Sequence, residues 1–220
     1  MKILVIAPHP DDETLGCGGT LFRHKDQGDE LYWVIVTSIS EEFGWSDDAV
    51  KKRDAEIDAV AEKYGFVEVF NFRLPTTKID TLPLSDLIEK ITDVYKKVEP
   101  EIIYMPFTRD VHTDHQLVAR ALQSTFKWFR YPYIKNVLMY ETLSETEFNF
   151  VEDRNFWPNV FIDISHYLDD KIEAMKIFDS EIGDFPFPRS EKTIRSLAAF
   201  RGSQSGYEAA EAFELVYERR

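Results

Sequence analysis

Apolar and amphipathic segments alternate along the chain. Short runs rich in Ile, Leu, Val and aromatic residues predict strands, several of them buried on both faces of a sheet. These predicted strands cover residues 2–7, 31–37, 67–72, 102–106, 137–142 and 160–164. Apolar positions at helical spacing predict helices over residues 18–26, 48–64, 86–99, a segment that opens near His115, 167–178 and 191–200.

This alternation is typical of a mostly parallel sheet with helices on both faces, so we predict an α/β fold. No repeat, linker or low-complexity segment interrupts the 220 residues, a length that suits one large domain. The pattern changes beyond residue 130. We therefore predict a single domain with a core in residues 1–130 and an elaborated part in residues 131–220.

Composition narrows the range of partners. The chain has 26 basic and 40 acidic residues and a formal charge of −14, which disfavours a phosphate backbone, so we expect no nucleic acid partner. No apolar run approaches the roughly 20 residues that a membrane-spanning helix needs. The first apolar run is interrupted at Pro8, too early for a signal peptide. We expect a cytoplasmic protein with no membrane span.

Histidine and aspartate side chains follow two of the predicted strands. His9 and Asp12 come after the first strand, and His115 begins the helix after strand 102–106. Ligands of open α/β sheets bind at the carboxyl ends of the strands. Two imidazoles and one carboxylate are a common catalytic zinc set, with positions left for water and substrate. We predict that His9, Asp12 and His115 hold one metal ion; the same set also suits Fe(II), and ligand type alone does not separate the two.

Three neighbouring polar residues provide the remaining parts of a hydrolase. Asp11 adjoins Asp12 but points in another direction, where it can accept the proton of a metal-activated water. His112, unless it is itself a ligand, is placed to donate to an oxyanion that forms on the substrate. Asp114 is expected to hold His112 in the right tautomer and to stabilise its protonated form. Together these residues predict hydrolysis of an amide or an ester.

The segments that carry these residues resemble the LmbE-like, or PIG-L, family of N-acetylglucosaminyl deacetylases. The resemblance rests on residues 7–13 (APHPDDE) and 112–115 (HTDH), with weaker matches at residues 53–56 (RDAE) and 201–213. It implies a Rossmann-like fold and metal-dependent removal of acetyl from an N-acetylated amino sugar, a small-molecule substrate. It also suggests a homo-oligomer. The site residues that it implies are the ligands His9, Asp12 and His115, the general base Asp11, the carbonyl-polarising His112 with its partner Asp114, and the substrate-contacting Arg53.

Two other functions of the same fold stay open: an amidase that acts on a sugar–thiol conjugate, and a non-catalytic sugar-binding protein. Because the chain keeps every predicted ligand and the base, an enzyme is favoured. One segment departs from many relatives, which carry a His-x-Ser-Gln type of sequence where this chain has Phe-Asp-Ser-Glu at residues 178–181. We interpret Asp179 and Glu181 as solvated acids at a helix end.

Two further features bear on the substrate and on packing. The acidic balance disfavours a heavily phosphorylated substrate unless Arg53, Arg109 and Arg189 converge on one place. Residues 126–133 are unusually aromatic, and we interpret them as packing or interface residues rather than as a sugar platform.

Overall fold

In residues 1–150 and 155–220, which the computed structural model describes, a seven-stranded sheet lies between two layers of helices. The strands are β1 (Lys2–Ala7), β2 (Glu30–Ser38), β3 (Glu68–Pro75), β4 (Ile102–Pro106), β5 (Asn136–Tyr140), β6 (Val160–Asp163) and β7 (Ala210–Glu218). The helices are α1 (Asp12–Asp26), α2 (Asp47–Tyr64), α3 (Leu84–Val98), α4 (Thr113–Gln123), α5 (Leu168–Met175) and α6 (Glu191–Ser205).

The strand order is β3-β2-β1-β4-β5-β7-β6, and strands β1 to β5 pair in parallel. The prediction of a single α/β domain with a mostly parallel sheet is therefore confirmed. The chain runs outward from β1 to β3 and then returns to β4 on the other side of β1. This reversal opens a crevice at the carboxyl ends of β1 and β4, where open α/β sheets bind their ligands.

Strand β1 is apolar from Ile3 to Ala7 because both of its faces are covered. Leu4 and Ile6 of β1 pack into the apolar layer formed with α3 and α4. Ile3 and Val5 point the other way, into the layer formed with α1 and α2. Burial on both faces explains why the run has no polar alternation.

Helix α1 begins earlier than predicted. The sequence predicted a helix over residues 18–26 after an acidic loop, but α1 starts at Asp12 and is interrupted at Cys17, where φ is −145° and ψ is 23°. The glycines at residues 16, 18 and 19 disfavour a helix by propensity, but close packing overrides this preference. A Cβ atom at Gly16 would lie 2.2 Å from the ring of Tyr140, so only glycine fits.

Two other elements differ from the sequence prediction. Ser46 caps α2, since its Oγ accepts a hydrogen bond from the Ala49 amide at 3.2 Å, and the helix therefore begins at Asp47 rather than at residue 48. Strand β7 was not predicted; it lies antiparallel between β5 and β6 and completes the sheet. None of the helices among the described residues has the length and apolar character of a membrane span.

Candidate active site

Two loops at the carboxyl ends of β1 and β4 bring the three predicted metal ligands together. His9 Nδ1 lies 3.4 Å from Asp12 Oδ2, and His115 Nε2 lies 3.2 Å from the same oxygen. One potential ligand atom from each residue lies within 4.8 Å of the other two. The residues are about a hundred positions apart in sequence, yet the crevice between β1 and β4 makes them one cluster.

The environment of His115 fits a bound cation. Its ring is fully buried, and its Nδ1 lies 2.8 Å from Asp110 Oδ2. Within the described part of the chain, its Nε2 has no hydrogen-bond partner. When Nδ1 carries the proton that Asp110 accepts, the Nε2 lone pair faces the carboxylate oxygen of Asp12. Either a second ring proton or a cation has to lie between these two atoms, and the donor set is one that zinc and Fe(II) use.

Each of the two histidines is held by a second carboxylate. Asp110 supports His115, and Asp114 Oδ2 lies 3.1 Å from His9 Nε2. Metal-ligating histidines commonly donate their other N–H group to a carboxylate, which fixes the tautomer and the ring orientation. The sequence analysis missed Asp110; an acid between β4 and the helix of His115 was the signal that could have found it.

The structure corrects the predicted role of Asp114. Its carboxylate accepts from His9 and from the Thr77 amide, at 3.1 and 2.8 Å, and the hydrogen bond to His112 comes instead from the main chain. The Asp114 amide donates to His112 Nδ1 at 3.1 Å, because His112 is the N-terminal cap of α4. With Nδ1 as acceptor, the neutral ring carries its proton on Nε2.

The pKa values of the clustered groups follow from burial and from their neighbours. Burial lowers the pKa of His115, but the carboxylates of Asp12 and Asp110 more than reverse this and raise it. Burial likewise opposes ionisation of Asp12, yet the two histidines hold its pKa well below the usual range. The pKa of His9 rises to about 9 against burial, through Asp114 and Asp12. Each shift favours a charged pair at this place.

His112 and Asp11 differ from that group. Burial, with the positive charges of His9 and His115, lowers the pKa of His112 to about 4, so its ring is neutral at neutral pH. Burial and the neighbouring Asp12 carboxylate raise the pKa of Asp11 well above the usual range, while Arg189 opposes the shift. A carboxyl group whose pKa is raised toward neutrality suits proton transfer near pH 7.

Asp11 has a strained backbone, with φ at 132° and ψ at −28°. Glu13 holds this conformation: its Oε2 accepts a hydrogen bond from the Asp11 amide at 3.0 Å. The other oxygen of Glu13 accepts from the Thr14 hydroxyl at 2.6 Å, which in turn accepts from Tyr64. Glu13 is fully buried, and burial raises its pKa to about 7. Sequence reasoning gave Glu13 no role of its own.

A cavity of about 590 Å³ opens beside these residues. His9, Asp11, Asp12 and His112 form its inner wall. Its other lining side chains include those of Trp45, Lys52, Arg53, Glu56, Glu145, Glu181 and Arg189. The volume is within the range of small-molecule sites, and it adjoins the candidate metal ligands directly.

Arg53 lies in the wall of this cavity, and its hydrogen bonds go to the protein. Nη1 donates to the Pro10 carbonyl at 3.2 Å, and Nη2 donates to Ser180 and Glu181. Glu181 is therefore half-buried and ion-paired, which contradicts its interpretation as a solvated acid. Asp179 is exposed, with Lys52 as its partner at 2.5 Å.

The aromatic segment divides into two groups. Phe126, Tyr131 and Tyr133 pack against the apolar layer of α3 and α4. Trp128 and Phe129 are 63% and 65% exposed. None of the five is among the cavity-lining residues of the described chain, and packing is shown for the first three only.

Fold and site together define the class: a Rossmann-like α/β protein with a candidate two-histidine, one-aspartate metal centre at the carboxyl edge of its sheet. A family model described as "PIG-L: GlcNAc-PI de-N-acetylase" matches residues 4–126. The chain belongs to this family, as its motifs predicted.

Known proteins with similar sequences and structures support this assignment. Diacetylchitobiose deacetylase of Thermococcus kodakarensis is 24% identical over 230 residues, which span 98% of this chain and 83% of that protein. The structure of N,N'-diacetylchitobiose deacetylase from Pyrococcus horikoshii is similar with a TM-score of 0.74 and 21% identity, over 98% of this chain and 84% of that one.

The fold is not restricted to deacetylases. GalB of Pseudomonas putida KT2440, a 4-carboxy-2-hydroxymuconate hydratase, is similar with a TM-score of 0.76 and 20% identity, over 100% of this chain and 97% of that one. Because one fold carries different reactions, the reaction has to be argued from the residues of the site.

Proposed function

We propose that this protein is a metal-dependent hydrolase that removes the N-acetyl group from an N-acetylated amino sugar. The observation that carries the proposal is the arrangement around one cavity wall. A buried Asp11 carboxyl group and a His112 ring whose Nδ1 is already occupied both adjoin the cluster of His9, Asp12 and His115. These are the parts that amide hydrolysis needs.

His9, Asp12 and His115 would hold the ion. Zinc is the metal we expect, and Fe(II) suits the same ligands. When bound, such an ion polarises an acyl carbonyl and makes water a nucleophile at neutral pH. The second carboxylates, Asp110 and Asp114, keep both imidazoles oriented for this role.

Asp11 accepts the proton of the attacking water. Its raised pKa lets it take up this proton and then release it to the departing amine, so one carboxyl group serves both steps. Glu13 stabilises the strained turn that fixes Asp11 in the cavity wall, where Asp11 is not itself one of the predicted metal ligands.

His112 donates a hydrogen bond from Nε2 to the oxygen of the acyl group as negative charge develops there. The Asp114 amide occupies Nδ1, so the Nε2–H group is the donor that remains for the substrate. One such donor contributes about 10²- to 10³-fold to the rate of acyl transfer.

The test is acetate release by the purified protein after elemental analysis for zinc and iron. The substrates are N-acetylglucosamine and N,N'-diacetylchitobiose, and equal amounts of acetate and free amine are expected. A variant, Asp11→Asn, is the matched negative control. Metal-loaded protein that releases no acetate from either compound would contradict the proposal.

The same assay separates the alternatives. Faster release of a larger acyl group from the same amino sugar would favour an amidase that acts on conjugates. Binding of both sugars without any release, by protein that holds its metal, would favour a sugar-binding protein. The complete set of predicted ligands, with the base beside it, supports an enzyme over a sugar-binding protein, and the similarity to diacetylchitobiose deacetylases supports acetyl as the group removed.

A further inference from the structure

The outer part of the cavity carries three cationic side chains, and each of them already contacts a carboxylate. Lys52 Nζ lies 2.5 Å from Asp179, and Arg53 Nε lies 3.1 Å from Glu56 Oε2. Arg189 Nη2 donates to Glu181 Oε2 at 3.1 Å. An incoming anion therefore has to compete with a carboxylate of the protein for each of these cations.

Glu181 is the centre of this arrangement because it uses its two oxygens on two different arginines. Oε1 accepts from Arg53 Nη2, and Oε2 accepts from Arg189 Nη2. Two of the three arginines that a phosphate site would need, Arg53 and Arg189, do converge, but they converge on a carboxylate of the protein itself. Two guanidinium groups around one carboxylate form a strong, charge-assisted arrangement.

The remaining wall is acidic and contains polar atoms without partners. Its carboxyl groups outnumber its cations: Asp11, Asp12, Glu56, Glu145 and Glu181 against Lys52, Arg53 and Arg189. Polar atoms of three lining residues have no hydrogen-bond partner within the described chain, namely Ser38 Oγ, Glu56 Oε1 and Arg189 Nε.

We propose that Glu181 makes this cavity selective for amino sugars whose remaining substituent is uncharged, and selects against a phosphate or carboxylate at that position. This inference rests on the proposed deacetylase function and specifies its substrate class. A neutral glycoside brings no charge into the cavity, so it does not compete for the ion pairs of Glu181. An anionic group meets an excess of carboxylates, and the arginines that could bind it are held by Glu181.

The test uses two compounds that differ in the anomeric substituent: the methyl α-glycoside of N-acetylglucosamine and N-acetylglucosamine 1-phosphate. For the wild-type protein, we expect kcat/KM for the glycoside to exceed that for the phosphate by at least about tenfold. In Glu181→Gln, the charge that holds both arginines is lost, so this ratio should fall by about tenfold.

The ratio of the two kcat/KM values distinguishes a change in selectivity from a general loss of activity. A variant that is merely less well folded loses activity on both compounds equally and keeps the ratio. Direct contact of the phosphate with a bound ion also contributes equally in both proteins. The matched control is Asp48→Asn, which removes one negative charge from the exposed first turn of α2 beside the cavity-lining Ala49. Its ratio should stay within about twofold of the wild type.

Binding is measured separately, by isothermal titration of both compounds into the Asp11→Asn protein, with and without Glu181→Gln. Failure of the wild-type protein to release acetate from either compound would overturn the proposed function, and the titrations would still test the substrate class. Preference of the wild-type protein for the phosphate, or a ratio that Glu181→Gln does not change, would overturn the inference. So would an equal change in Asp48→Asn.

Discussion

Two buried polar clusters lie along α1, and they accommodate buried charge in opposite ways. The Lys171 cluster comprises Lys171, Glu211 and the main chain of residues 15–20. Lys171 Nζ donates to Glu211 at 2.6 Å and to the Leu15 carbonyl at 2.8 Å. The two Glu211 oxygens also accept from the Gly19 and Thr20 amides, at 2.9 and 2.7 Å. Every charge there meets an opposite charge or a dipole.

The His115 cluster comprises His9, Asp12, Asp110, Asp114 and His115. It is also buried except at His9, whose side chain is 20% exposed, but an unpartnered nitrogen of His115 faces an oxygen of Asp12, and the neighbouring Asp11 has strained backbone angles. Burial of charge is therefore common to both clusters and does not mark the site. What marks it is a buried nitrogen without a hydrogen-bond partner beside a strained backbone, a place where a cation or a substrate can bind.

The largest expected difference between the clusters is in catalysis. Asp11→Asn should lower kcat by about a thousandfold, since positioned general bases contribute roughly 10²- to 10⁴-fold. Asparagine tolerates positive φ, so the turn should persist and the melting temperature should change by only a few degrees. Acetate release, thermal unfolding and elemental analysis of the same preparation check this. Loss of the bound metal in this variant would show that Asp11 serves as a ligand instead.

The Lys171 cluster should respond in stability instead. Lys171→Met should lower the free energy of unfolding by about 3–5 kcal/mol, because it leaves the buried Glu211 carboxylate without its charge partner. The double variant Lys171→Met/Glu211→Gln should lose less than the two single variants together. Urea unfolding measures both. A drop in kcat of more than about tenfold in folded Lys171→Met protein would contradict the division between the clusters.

Glu13 stabilises the strained turn of Asp11, which adjoins the His115 cluster. Glu13→Ala removes the acceptor of the Asp11 amide and should lower kcat by about 10- to 100-fold, with a smaller effect on KM. Glu13→Gln keeps an acceptor oxygen and should retain most of the activity. Steady-state kinetics of the two variants test this, and equal losses in both would mean that the charge of Glu13, rather than its geometry, matters.

Arg189 should have the smallest effect. Its Nη1 lies 3.7 Å from Asp11 Oδ2 and lowers the pKa of that carboxyl group. Removing the positive charge disfavours the carboxylate, so in Arg189→Met the pKa of Asp11 rises. The acidic limb of kcat/KM against pH should then shift upward by on the order of one pH unit. A downward shift would contradict the assignment of Asp11 as the base.

Much of this site could be predicted because it depends on local patterns. The motifs at residues 7–13 and 112–115 each follow an apolar strand, and parallel strands place their carboxyl ends at one edge. The role of Asp114 was wrong in detail because a capping hydrogen bond from the main chain leaves no trace in residue types. Asp110 was missed because a buried acid in a loop has the same sequence signal as an exposed one.

The errors elsewhere come from tertiary contacts. Strand β7 contains Glu211 and Glu214, which a pattern would place in solvent, but both are buried. Glu181 was misread because one of its arginine partners, Arg53, lies 128 residues away in sequence. The sequence prediction made helix α1 too short because the packing of Gly16 on Tyr140 depends on a residue far away in sequence. In each case a distant partner reversed the local preference.

The central claim is that His9, Asp12 and His115 hold one ion on which activity depends. Elemental analysis of the wild-type protein and of Asp12→Asn, each checked for folding, tests it most directly. We predict about one zinc or iron ion per wild-type chain, and loss of both ion and acetate release in the folded variant. An active wild-type protein without such an ion, or an Asp12→Asn protein that keeps a full complement, would contradict the account.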